Sequence, residues 1–286
     1  MALGSFPKKL VRTAARVIPQ CGMVSQAVAF NMFLVFFPSL LLALGLMSRS
    51  LSGKNGQDLA TRLTTILPPG TWQLISDFIL RRGVNPWIWV TLGWLGTLLA
   101  GSQVMKLIME GIHLIYGERE KHSFLGRQLR GLLLFSVSIV AWVAAVALSV
   151  FGRPLRQWMI LWFGASSLVR GFWTVTLPLL AMVLAMLVLT LIYRVSRRRS
   201  TTWRSILPGA AAATILWWAV NLLFGAYVRK MHYGPVYGGL AAVFGLMIWM
   251  EFSAMIVFLG AAWNAENSRF TCENYRFTRG ELPIHM

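Results

Sequence analysis

Apolar side chains run along this chain in six long stretches rather than in short alternations, at roughly 26–48, 86–108, 131–151, 172–194, 206–228 and 240–263. A helix rises ~1.5 Å per residue, so each stretch is long enough to cross a hydrocarbon layer ~30 Å thick. Shorter patterned segments flank them. Leu10, Val11, Ala14, Val17 and Ile18 recur at helical spacing while Lys9, Arg12 and Arg16 fall elsewhere, the pattern of a helix lying on a membrane surface. Between the first two stretches, Leu59, Leu63, Ile66 and Leu67, then Trp72, Ile75, Phe78 and Ile79, predict two short amphipathic helices split by Pro68-Pro69-Gly70. The predicted fold is an all-α integral membrane protein. It is a single polytopic domain (1–286) with six transmembrane helices, an amphipathic N-terminal interfacial helix and two amphipathic helices in the first outer loop.

Composition agrees: 57% of the 286 residues are hydrophobic and only 13% charged, against about 25% charged in a soluble domain. The net charge of +18 would suit a nucleic-acid binder, but these charges sit beside apolar spans, where they anchor loops to anionic head groups. Membrane lipids, anionic ones included, are the expected partners, with no nucleic acid. An even number of spans puts both termini on one side. With the N-terminus inside, the cytoplasmic segments hold fifteen Lys and Arg and the outer ones ten, which favours cytoplasmic termini. Arg197, Arg198, Arg199 and Arg204 in one short loop weigh most in that choice and are the candidate head-group and topology contacts. The first twenty residues have no central apolar run, so no cleavable signal is expected. Cys21 and Cys272 form neither a metal motif nor a disulfide framework.

Within the spans, small residues every fourth position (Gly93, Thr97, Gly101; Ala141, Ala145, Ser149) predict close helix–helix contacts. Pro178 near the start of the fourth span, and Phe37-Pro38 followed by a Leu run in the first, hint at a three-plus-three inverted repeat. Lys106 and Glu110 are four residues apart, spaced to pair on one face; snorkelling of Lys106 to the interface is the simpler reading. Asn31 and Asn221 are placed to hydrogen-bond across helices. The exception is Glu251, twelfth of the twenty-four residues of the last stretch, ~17 Å from either end of an ideal helix. A charge there costs ~2.5–3.5 kcal/mol on insertion scales, and no Lys or Arg lies at that depth in any span. It is either a hydrogen-bonded structural acid or an acid lining a polar cavity that takes a proton, a cation or a head group. "YGPVYGG" offers Gly234, Pro235, Gly238 and Gly239 as a candidate gate or as a tight turn. An enzyme reading finds little: Glu110, His113, Glu118, Glu120 and His122 form the only local cluster, read as a solvated loop, with no metal-ligand motif and no phosphate loop. No catalytic residue, metal or cofactor is expected.

The last third carries a recognisable pattern: Leu207-Pro208-Gly209-Ala210, Trp217, Tyr227, Tyr237-Gly238, Leu240, Trp249, Ser253-Ala254 and Gly260-Ala261, with Phe30 eight residues before Pro38 near the start. It resembles the YihY/BrkB family of bacterial inner-membrane proteins. The resemblance implies six spans with a long loop after the first. Members have carried ribonuclease, virulence or serum-resistance labels and have been connected with envelope lipid transport. This chain departs from the family at two places. Glu251 stands where many members have an aromatic, and Ala262 stands where many have a glutamate. The expected function is translocation or binding of a lipid, amphiphile or other envelope solute without a nucleotide motor, with Glu251, Asn31 and Asn221 as cavity candidates. The alternative is a non-transporting envelope adaptor; a ribonuclease is disfavoured.

Overall fold

The computed structural model describes residues 6–51, 86–118, 123–163, 167–197, 202–230 and 238–278. Among these residues all regular structure is helical: α1 Phe6–Leu51, α2 Pro86–Tyr116, α3 Phe124–Phe163, α4 Ser167–Ser196, α5 Trp203–Lys230 and α6 Gly238–Thr278. Each contains one predicted apolar stretch, and six helices are long and apolar enough to cross a membrane. The two outer-loop helices expected in 52–85 lie outside the described residues, as do Gly234, Pro235, Arg198 and Arg199.

The helices overrun the predicted bounds. α1 runs 46 residues without a break, so the segment expected to be a separate surface helix continues into the first span. Pro19 and Pro38 lie inside α1; each removes one backbone donor without ending the helix. α3 continues twelve residues past 151 to Phe163, because "LRQWMILWF" keeps apolar residues at helical spacing.

Each helix packs on the next in sequence, α6 closes the ring on α1, and α2 also reaches across to α4 and α6. The core lies toward one end, hereafter the near end: Cys21 and Val28 of α1, Val104 to Ile112 of α2, Leu134 of α3, Tyr193 of α4, Ile206 and Ala210 of α5, and Ala254 to Ala262 of α6. Large apolar side chains cover the outside, among them Leu99, Val140 and Leu223, each at least 60% exposed. An exterior of that kind is stable only against hydrocarbon.

The predicted small-residue contacts are present on α2. A methyl at Gly93 would strike the backbone of Leu42, and one at Gly101 the ring of Phe135. Thr97 between them is buried and its hydroxyl donates to its own helix at Gly93 (2.7 Å). The tightest approach joins α5 and α6, where Gly209 and Gly260 face each other with each carbonyl in the other's methyl space. Lipid offers helices no hydrophobic drive to associate, so such backbone approach and interhelical hydrogen bonds hold the bundle.

Candidate functional site

Three polar groupings occupy the bundle. The first follows α6. Residues seven apart share a helix face, and Phe244, Glu251, Phe258 and Ala265 form such a row. Phe258 is wholly buried and Ala265 is buried, while Phe244 is 57% exposed. Glu251, between them, is half-buried. At Phe258 the row is sealed against α2: its ring fills the place a side chain on Gly111 would take. One face of α6 thus goes from closed to open over two turns on either side of Glu251. The acid lies eight residues into the apolar stretch Val243–Asn267, ~12 Å along the helix, nearer the far end than the sequence placed it. Among the described residues its carboxyl has no hydrogen-bond or ion-pair partner.

The two asparagines paired with Glu251 in the sequence reading do not join it. Asn31 donates to the Ala27 carbonyl of its own helix at 2.8 Å. Asn221 accepts from the Trp249 indole at 2.8 Å. On α6, Trp249 is two residues before Glu251 and so faces nearly the opposite way. Around Trp249 lies the second grouping, a polar ladder between α5 and α6. Trp217 donates to the Ser253 hydroxyl at 3.2 Å, Ser253 donates to the Trp249 carbonyl at 2.8 Å, and the two indoles lie 6.5 Å apart. One turn further in, Tyr193 of α4 donates to the Val257 carbonyl at 2.7 Å. Asn264 then accepts from the Gly209 amide at 2.7 Å and donates to the Ile206 carbonyl at 2.8 Å, bridging α5 across Pro208. Asn264 is fully buried although it stands just beyond Trp263, outside the predicted span. An amide at the end of an apolar run, with Leu-Pro-Gly in the preceding span, was the available signal.

The third grouping is at the near end of α2, α3 and α4. Lys106 is 7% exposed. It does not meet Glu110, which is exposed; its ammonium donates to the Gln128 carbonyl oxygen at 2.5 Å, and Gln128 donates on to Ser102 at 3.1 Å. α3 is close enough here, with Gly131 against the Ser102 carbonyl and the Lys106 stem, to reach the cation before solvent does. His113 also departs from expectation. Rather than a solvated loop residue, it is a half-buried interhelical donor, its Nε2 2.7 Å from the Ser196 carbonyl at the end of α4. α2 stops just beyond it in a Schellman cap: Gly117 takes φ 66°, its amide donates to Leu114, and the Glu118 amide donates to His113. Around this corner four buried polar atoms lack partners among the described residues: His113 Nδ1, Tyr116 Oη, Ser196 Oγ and Arg197 Nε. Each such orphan costs about 1–3 kcal/mol. Among the described residues no three His, Cys, Asp or Glu side chains converge as metal ligands.

Six apolar helices closed into a ring, joined by indole, amide and tyrosine hydrogen bonds, define a polytopic integral membrane protein. Residues 19–278 match the family model described as virulence factor BrkB, and the chain belongs to that family, as the Leu-Pro-Gly-Ala and Trp-to-Ser-Ala patterns implied. The protein named ribonuclease-like protein YfkH of Bacillus subtilis is 28% identical over 177 residues, 62% of this chain and 64% of its own. A UPF0761 membrane protein of Xanthomonas campestris is 30% identical over 150 residues, 45% of this chain and 35% of its own. Another from Stenotrophomonas maltophilia is 31% identical over 141 residues, 48% and 31% respectively. The match therefore spans under two thirds of these relatives' lengths. No solved structure matches the chain.

Proposed function

We propose that the protein binds and translocates an amphiphile, or another solute with a polar head, along the Glu251 face of α6, in a bacterial inner membrane with both termini cytoplasmic. The observation that carries this reading is the burial gradient along one row of α6, from exposed Phe244 through half-buried Glu251 to sealed Phe258. An acid at that depth without a protein partner is suited to a proton, a cation or a polar head group, since hydrocarbon leaves it uncompensated. The closed near half, with Phe258 seated at Gly111, supplies the barrier that any alternating-access device needs. No nucleotide motor enters this reading.

The test is reconstitution in liposomes with a fluorescent lipid, following its passage between leaflets. Wild type moves the lipid, and Glu251→Gln slows it at least tenfold with unchanged melting temperature. A wild type no faster than empty liposomes rejects translocation.

One observation favours a second reading, a non-transporting envelope adaptor. The Gly209–Gly260 approach and the Asn264 bridge make the near half a rigid block. An adaptor would keep its envelope partners under mild solubilisation and leave the fluorescent lipid where it was. The ribonuclease-like name of YfkH finds no supporting side-chain constellation among the described residues of this chain, and we read the protein as non-enzymatic.

A further inference from the structure

We propose that the near-end corner formed by His113, Tyr116, Ser196 and Arg197 binds a phosphate group, presented by a lipid head group or as free phosphate. The corner is built from two helix ends held together by the bond from His113 to the Ser196 carbonyl. It contains every fully buried side-chain nitrogen or oxygen without a partner among the described residues, although these residues are spread over six helices whose other buried polar side chains are bonded. Ser196, one of the four, is only 2% exposed.

The chemistry of the orphans selects the ligand. Arg197 Nε can only donate, and the Tyr116 and Ser196 hydroxyls each have a hydrogen to give. A carbonyl oxygen only accepts, so His113 must carry its hydrogen on Nε2, facing Ser196. Its Nδ1 is then an acceptor in the neutral ring, suited to a protonated phosphate oxygen, and a donor in the cationic ring. Three fixed donors and one that adapts complement a group whose oxygens are nearly all acceptors. The arginine charges point the same way, against the partial negative charge of the two helix C-termini. The Arg197 guanidinium lies 4.3 Å over the Tyr116 ring, and Arg194, three residues earlier on α4, lies 4.3 Å over the Trp203 ring. Both cations rest on aromatic faces, which leaves their hydrogen-bonding edges to an incoming anion. Arg197 follows the last residue of α4, so its side chain can turn onto a ligand without disturbing the helix. Glu118, just past the Gly117 cap, is within electrostatic reach of Tyr116 and opposes the anion.

The site is at the opposite end of the bundle from the open part of the Glu251 face and stands whether or not the protein translocates anything. Its test uses the full-length chain in nanodiscs of zwitterionic lipid, titrated separately with inorganic phosphate and with dihexanoyl phosphatidylglycerol, reading phosphorus NMR line broadening and the melting temperature. Saturable binding of either probe supports the site; the tighter of the two identifies free phosphate or a lipid head group as the source. Arg197→Gln weakens binding at least tenfold, and Tyr116→Phe, which keeps the ring beneath Arg197, weakens it about threefold to tenfold. Glu118→Gln strengthens it. If neither probe saturates, the four atoms are served by water and the proposal fails. It fails equally if Arg197→Gln and Tyr116→Phe both bind as wild type does.

Discussion

At Asn264 both halves of one amide are engaged by a neighbouring helix, and this accounts for a polar side chain with no exposure in the middle of a membrane bundle. Removing it strands the Gly209 amide and the Ile206 carbonyl together. Asn264→Ala should therefore cost about 2–4 kcal/mol, read as a lowered melting temperature in detergent, with the helical content of the folded state unchanged. Tyr116→Phe is the reverse case. It deletes a hydroxyl that has no partner, so without ligand the variant should melt no lower than wild type. The sequence separated these residues poorly. Asn221 and Asn264 have the same chemistry, and their partners lie 28 and 55 residues away, on helices whose neighbours no local pattern specifies. Glu251 was legible because an acid within an apolar run is conspicuous by itself. Its position beside a sealed phenylalanine depends on Gly111, on another helix.

Among the elements, α5 and α6 depend most on the absence of side chains. A methyl at Gly209 meets the Gly260 carbonyl and the Asn264 amide, and one at Gly260 meets the Tyr193 hydroxyl, Ala213 and the Gly209 carbonyl. With the Asn264 and Tyr193 side chains both held by hydrogen bonds, neither neighbour can yield cheaply. Gly260→Ala should push the helices apart and cost about 1–3 kcal/mol, and Gly209→Ala should do the same. Since both disturb one contact, the double variant should lose less than the two losses added, as a thermodynamic cycle of melts would show. Helix existence was legible here, because long apolar runs need nothing but their own length to be recognised. Helix ends were not. α2 ends where Gly117 takes a left-handed conformation, a signal present in "IYGERE" but indistinct beside the charges that follow it. α3 outruns its predicted stretch because apolar residues resume at helical spacing after Arg156.

For the whole molecule, the core is lopsided. Buried side chains gather at the near end, where α1, α3 and α5 begin and α2, α4 and α6 finish. Backbone amides around Met105–Ile112 and Ala254–Ala262 should thus exchange with deuterium more slowly than those around Val90–Leu95 and Val243–Ile248, a difference that mass spectrometry of peptides resolves. Cys21, wholly buried in that block, should resist maleimide in the native protein and react fully after denaturation. The loop charges predict that reporters fused to either terminus behave as cytoplasmic. The ring order of the helices follows chain order and was within reach of the sequence. The crossing of α2 to α4 and α6 was not, since it depends on side-chain fits rather than on periodicity.

A bundle fastened at one end behaves mechanically as a set of levers. With the Gly209–Gly260 contact as fulcrum, the arm of α5 that ends at Lys230 is about 21 residues or ~32 Å long, and a 5° tilt swings its free tip ~3 Å. Displacements too small to break a single near-end hydrogen bond would then be enough to widen or shut the opposite mouth.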